Sequence, residues 1–274
     1  MQKKLLIVSA AALLAVFGLF MLPKVVVDNE RNDADQGSSM EGAISDSDID
    51  PEHSDEISTE ARAELVELRE AYESSKNSEN FTNFANSLID RFAAVNQYDS
   101  AAKYAAELAE ADTNESTLQK AGDMYYEAFT YAMDADKSKQ MGESARYFYE
   151  LLLEQAPDQL DAKAKMAMTY VSSSSPMQGI QMLREVLEED ADNTIAVYNL
   201  GLLSMQSGQY NLAVERFEKL VSLEPDNLQA QFLLGVSYFE EGLKEKAKKQ
   251  FEYVKSLDAD PSVTASVDEY LNQL

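Results

Sequence analysis

Two stretches of the chain copy each other at an offset of 34 residues. Leu200 and Gly201 recur as Leu234 and Gly235, Gly208 as Gly242, Ala213 as Ala247, Phe217 as Phe251, Glu218 as Glu252 and Leu223 as Leu257. Small residues held at fixed places between large apolar ones, at this period, are the mark of stacked helical hairpins. Such a stack more often serves as a binding surface than as a reaction centre. Gly201 and Ala213 are small where two helices approach closely, and Phe217 fills the gap between one hairpin and the next. Gly208 has the backbone freedom that ends a helix, and Pro225 is expected to open the following hairpin without needing an amide donor.

From Ser58 onward apolar residues recur at three- and four-residue steps, and β-branched runs are scarce, so the pattern is helical. Residues 60–75 read as one amphipathic helix with Ala63, Leu65, Val66, Leu68 and Ala71 on its apolar side. The clearest units are 160–193, 194–227 and 228–261. In the first of these Ser172 to Ser175 precede Pro176, a helix cap followed by a first-turn proline. The third closes on Pro261, two residues late. Weaker copies span 118–157, stretched by a longer first helix and a polar insert from Asp134 to Gln140, and 81–114. Residues 262–274 read as a capping helix whose Tyr270, Leu271 and Leu274 cover the end of the stack.

The unit 194–227 resembles the tetratricopeptide repeat family. Leu200, Gly201, Ala213, Phe217 and Pro225 hold preferred residues of its signature, while Val197, Ser204 and Leu220 stand where the family favours Trp, Tyr and Ala. The resemblance implies an all-α fold, an α-solenoid of TPR-like hairpins wound as a right-handed superhelix, whose first helices line a concave groove. Carried over place by place, the groove residues are Met168, then Tyr198, Leu202 and Met205, then Phe232, Val236 and Phe239. That strip is apolar and aromatic, and suits an amphipathic helix or an unfolded apolar segment. The family's carboxylate-gripping version needs Lys and Asn at set groove places. Lys165 and Asn199 occupy the sixth place of neighbouring units, but the fifth and ninth places are apolar. Burial of the strip against the chain's own N-terminal helix or against a second copy, in a structural self-association, is the competing reading.

The 274 residues carry 23 basic and 49 acidic side chains, a net charge of −26. That balance argues against nucleic acid, whose phosphates need clustered Lys and Arg, and against docking on anionic lipid. The cluster Lys244, Lys246, Lys248 and Lys249 is opposed by Glu240, Glu241 and Glu245 and reads as a solvated helix face. Cysteine is absent, and the one histidine, His53, lies in an acidic stretch, so the usual nucleophile–base pairs and cysteine–zinc sites cannot be built. Phosphate-binding glycine motifs are missing too. No cofactor or metal is implied and the chain is expected not to be an enzyme. Asp46, Asp48 and Asp50 imitate the start of a calcium loop, but Pro51 and Ile57 stand where it needs Gly and Glu.

At the N-terminus Lys3 and Lys4 precede an uncharged stretch from Leu5 to Leu22. Its length of roughly 27 Å as a helix is close to a bilayer core. Residues 1–27 thus read as an uncleaved signal anchor, with a cleaved export signal as the alternative. Lysines before the span and acid beyond it place the N-terminus in the cytoplasm and export the rest. Residues 28–56 hold eleven acidic residues against Arg31 and read as a disordered linker. The expected layout is a single-pass protein of a bacterial inner membrane, with a repeat domain over residues 57–274 facing the periplasm. Its expected partner is a protein or peptide.

Overall fold

The computed structural model describes residues 57–76, 78–257 and 261–274. The expected membrane segment, the acidic linker, the aspartate triplet and His53 lie outside the described residues. Among the described residues no helix is long and apolar enough to cross a membrane.

Among the described residues twelve α-helices follow one another. Helix α1 (Thr59–Ser75) is followed by five hairpins: α2 (Phe81–Ala94) with α3 (Tyr98–Ala111), α4 (Glu115–Tyr131) with α5 (Ala135–Gln155), α6 (Leu160–Val171) with α7 (Pro176–Glu189), α8 (Thr194–Gln206) with α9 (Tyr210–Leu223), and α10 (Leu228–Glu240) with α11 (Lys244–Ser256). Helix α12 (Pro261–Leu271) ends the series. Helices of this length are marginal in isolation, so stability comes from stacking. Each helix packs on its chain neighbours, and α4, α6 and α8, the first helices of successive hairpins, also touch in sequence.

Side chains fix where the helices start. Asn193 accepts a hydrogen bond from the Ala196 amide at 2.9 Å, and Asn227 one from the Ala230 amide at 3.0 Å, so the 34-residue period extends to the caps. Pro225 lies in the turn ahead of Asn227 rather than inside α10. Ser58 caps α1, Asp134 caps α5, and Asn114 forms a reciprocal capping box with Thr117. Pro176 opens α7, but the Ser175 side chain makes no cap bond. The polar insert expected after α4 is absorbed as helix: α5 begins at Ala135 and runs 21 residues. Pro261 opens α12 rather than closing the hairpin before it.

Helix ends follow the same logic. Gly208 (φ 70°) and Gly242 (φ 80°) take left-handed angles, and the next amides, of Gln209 and Leu243, reach back to the Ser204 and Tyr238 carbonyls at 2.8 Å. Asn96 (φ 60°) does the same after α2, where Gln97 N–H reaches the Phe92 carbonyl.

Glycine opposite an aromatic ring joins three of the hairpins. A Cβ on Gly201 would lie 2.8 Å from the Phe217 ring, one on Gly235 2.7 Å from Phe251, and one on Gly122 2.6 Å from Tyr149. The α6/α7 hairpin inverts the device. Its glycine, Gly179, is on the second helix and meets the backbone of the first, with Ala167 and Leu183 at the places held elsewhere by glycine and ring. Both ends are covered. At the start Leu65 and Tyr72 of α1 are buried, Tyr72 against Phe81 and Tyr104, while Ala63 is exposed and Ala61 takes its place in the core. At the other end Tyr270 of α12 stacks on Phe251 with ring centroids 5.0 Å apart.

Candidate partner-binding face

Places equivalent in the repeat are equivalent in space. The Tyr198 ring meets Phe217 edge-on at 6.4 Å, and the Phe232 ring meets Phe251 at 6.0 Å. Both rings therefore stand on the same side of their hairpins. Met168, Tyr198 and Leu202 are half-buried there, with part of each side chain left in water.

The other four strip residues sit differently. Met205 is 7% exposed and Val236 3%, and both join the core built from Phe217, Tyr238, Phe251 and Tyr270. Phe232 and Phe239 are half-buried beneath Tyr270, with edge-on ring contacts at 6.0 and 5.2 Å. Burial pushes the Tyr270 hydroxyl up to about 12, and nearby Glu240 and Glu269 act in the same direction. The open strip thus runs through Met168, Tyr198 and Leu202, and α12 closes its C-terminal third.

At the N-terminal end the strip meets an acidic corner on α4. Asp123 accepts hydrogen bonds from the Tyr149 hydroxyl at 2.8 Å and from Lys165 Nζ at 2.7 Å. Glu127, one turn further along, is half-buried. Burial holds its carboxyl above the usual range; Lys165 opposes this and Asp123 adds to it. Tyr126 beside it is pushed up to about 12, again by burial first, and is within electrostatic reach of Tyr198. Tyr149 is pushed strongly upward by burial and by Asp123. Lys165 is thus spent on Asp123, and buried Asn199 donates to the Ile195 carbonyl of its own helix at 2.9 Å. No carboxylate grip forms from this pair.

Asp123, Tyr126 and Glu127 are the residues that sequence reasoning missed. Their signal was a pair of carboxylates four residues apart on a first helix, obscured because the α4/α5 unit departs from the 34-residue length. The lysines on α11 are exposed, and Lys246 pairs with Glu218 at 3.0 Å. Tyr238 also donates to Glu218 at 2.6 Å, and these two bonds hold the Glu218 carboxyl below its ordinary range. Among the described residues no group of three or more His, Asp or Glu side chains is placed to hold a metal.

Glu127 carries a pH prediction. The fold favours its protonated form, so its contribution is present below the unfolded carboxyl value of about 4.3 and is lost as pH rises through the higher folded value. Glu127→Gln should therefore melt at a higher temperature than the parent at pH 7, and the gap should close as pH approaches 4. Melting curves followed by circular dichroism across that range measure it. A gap independent of pH contradicts a desolvated Glu127.

Comparison with known proteins fits this geometry. A tetratricopeptide repeat family model matches residues 204–265, from the end of α8 into α12. No curated protein matches the chain. Among solved structures, a tetratricopeptide repeat protein from Parabacteroides merdae is 16% identical, with 77% of this chain and 91% of that one covered at a TM-score of 0.50. The MamA protein is 20% identical over 65% of this chain and 92% of its own, at 0.47. YrrB, described as a TPR protein with an unusual peptide-binding site, is 19% identical over 74% and 97%, at 0.45. Residues 204–265 are tetratricopeptide-repeat sequence, and the described residues form a TPR-like α-solenoid, a fold that suggests protein–protein interaction.

Proposed function

We propose that the chain is a membrane-anchored, non-enzymatic scaffold of the bacterial envelope. Residues 1–27 hold it in the inner membrane, the acidic linker spaces it from the bilayer, and the hairpin stack faces the periplasm. Its first helices receive an amphipathic helix whose apolar side lies on Met168, Tyr198 and Leu202 and whose basic group approaches Glu127. The observation that carries this reading is a half-buried carboxylate kept at a cost beside half-exposed apolar side chains. Acids shifted by burial are enriched at functional surfaces. The net charge of −26 also favours a basic partner.

Photo-crosslinking in cells from a probe next to Leu202 tests the face, with Tyr198→Asp as the control. Phe232 is a poor control, because its change also disturbs α12. A crosslinked protein present with the parent and lost with the variant is expected. Identical products from both remove the face from the binding reaction, and a product made only of this chain assigns the strip to self-association. Anchoring is tested separately: the intact N-terminus should be found in the membrane fraction, with residues 57–274 open to protease only after the outer membrane is breached.

A further inference from the structure

On the opposite side of α8 from Tyr198 and Leu202, a cleft of about 420 Å³ lies between α7, α8 and α9. Met177, Ile180, Leu200, Leu203 and Leu212 make its apolar walls. Gly179 packs α7 against the backbone of α6, and the cleft opens on the side of α7 that carries Met177, Ile180 and Arg184. Met177 is left 66% exposed.

Two guanidiniums complete the lining, Arg184 from α7 and Arg216 from α9. Arg216 is half-buried and donates through Nη1 to the Leu200 carbonyl at 3.1 Å and to the Ser204 hydroxyl. Among the described residues neither arginine has an ion-pair partner, although Lys120, Lys163, Lys165, Lys219 and Lys255 all do. Adjacent Glu215 acts on Arg216 only through space, and Arg184 opposes it. In a chain with 49 acidic residues, two cations aimed at an apolar cleft without a carboxylate leave a place for one supplied from outside.

We infer that this cleft docks an acidic, apolar segment of a partner protein, with a Leu or Ile side chain between Met177 and Leu203 and a carboxylate on Arg184 and Arg216. The site is separate from the strip on the first helices and takes the opposite charge. The stack would then hold two different partners on its two sides.

The probe is a fluorescein-labelled peptide of alternating Leu and Glu pairs, with its Gln counterpart as control, titrated into the full-length chain in detergent. The acidic peptide should bind at least tenfold more tightly than the amide peptide, and more weakly as salt rises. Arg184→Glu and Met177→Glu change exposed side chains, so both should fold with unaltered melting curves and lose tenfold or more in affinity. Tyr198→Asp should bind the peptide like the parent. Equal affinity for the two peptides, or no effect of either cleft variant, overturns the assignment. So does binding lost with Tyr198→Asp instead, which moves the peptide to the strip. Absence of binding by the full chain also overturns it, including the case in which its own acidic linker or a second copy fills the cleft.

Discussion

Phe217→Ala should lower the stability of the hairpin stack by about 3–5 kcal/mol, read as a fall in the urea midpoint with little change in slope. Phe217 is fully buried, lies against the missing side chain of Gly201, and carries Tyr198 on its edge. Its removal leaves a cavity between two helices that cannot close without breaking the contacts of α9 with α8 and with α10. The same ring sets the requirement at Gly201. In the parent, Gly201→Ala puts a Cβ 2.8 Å from the ring and should cost about 1–3 kcal/mol, less roughly 1 kcal/mol recovered in helix propensity. In a Phe217→Leu background the ring is gone, and the same change should be neutral or favourable. A double-mutant cycle should therefore show coupling of at least about 1 kcal/mol. The chain already contains the swapped solution, with Ala167 and Leu183 at the corresponding places of the α6/α7 hairpin. Additive effects would mean that ring and glycine are not one packing unit.

Both residues stood out in the sequence because they recur one period later, but the sequence set Gly201 beside Ala213 and Phe217 between hairpins, whereas the structure lays the Phe217 ring on Gly201 within one hairpin. The caps Asn193 and Asn227 recur at the same interval but were not singled out from the sequence. What was not legible depends on contacts between units. Met205 and Val236 occupy places that face a ligand by carry-over, yet the core formed with Tyr238, Phe251 and Tyr270 encloses them. Phe232 and Phe239 read as open groove until the angle of α12 brings Tyr270 over both. No periodicity encodes that angle. The Asp123–Lys165 bond joins residues 42 positions apart on α4 and α6, across a unit of irregular length. The cleft beside Arg216 is walled by side chains of three helices, α7, α8 and α9, and appears only once α7 is packed.

Gly179→Val should be as damaging as the loss of a buried ring, and its damage should be local. A Cβ at Gly179 would lie 2.3 Å from the Ala167 carbonyl oxygen and 2.8 Å from the Val171 amide nitrogen. At Gly201 the obstacle is a ring that has some room to tilt. At Gly179 it is the backbone of the last turn of α6, which moves only if its helical hydrogen bonds are broken. The cost should therefore reach or exceed the upper end of the usual overpacking range, about 3 kcal/mol. The surrounding core is small: Ala164, Ala167, Leu183, Val186, Ala196 and Leu200 form a separate buried cluster between the larger ones on either side. In an array stabilised by unit and nearest-neighbour terms, weakening such a junction uncouples the two ends. Hydrogen exchange should show amides of α6 and α7 exchanging at least tenfold faster in Gly179→Val, while those of α2 to α4 and of α10 and α11 stay close to the parent. Thermal unfolding should resolve into two transitions, one for each large cluster. A single transition, with exchange accelerated evenly from α2 to α11, would show instead that the stack unfolds as one unit and that the α6/α7 hairpin is no weak link.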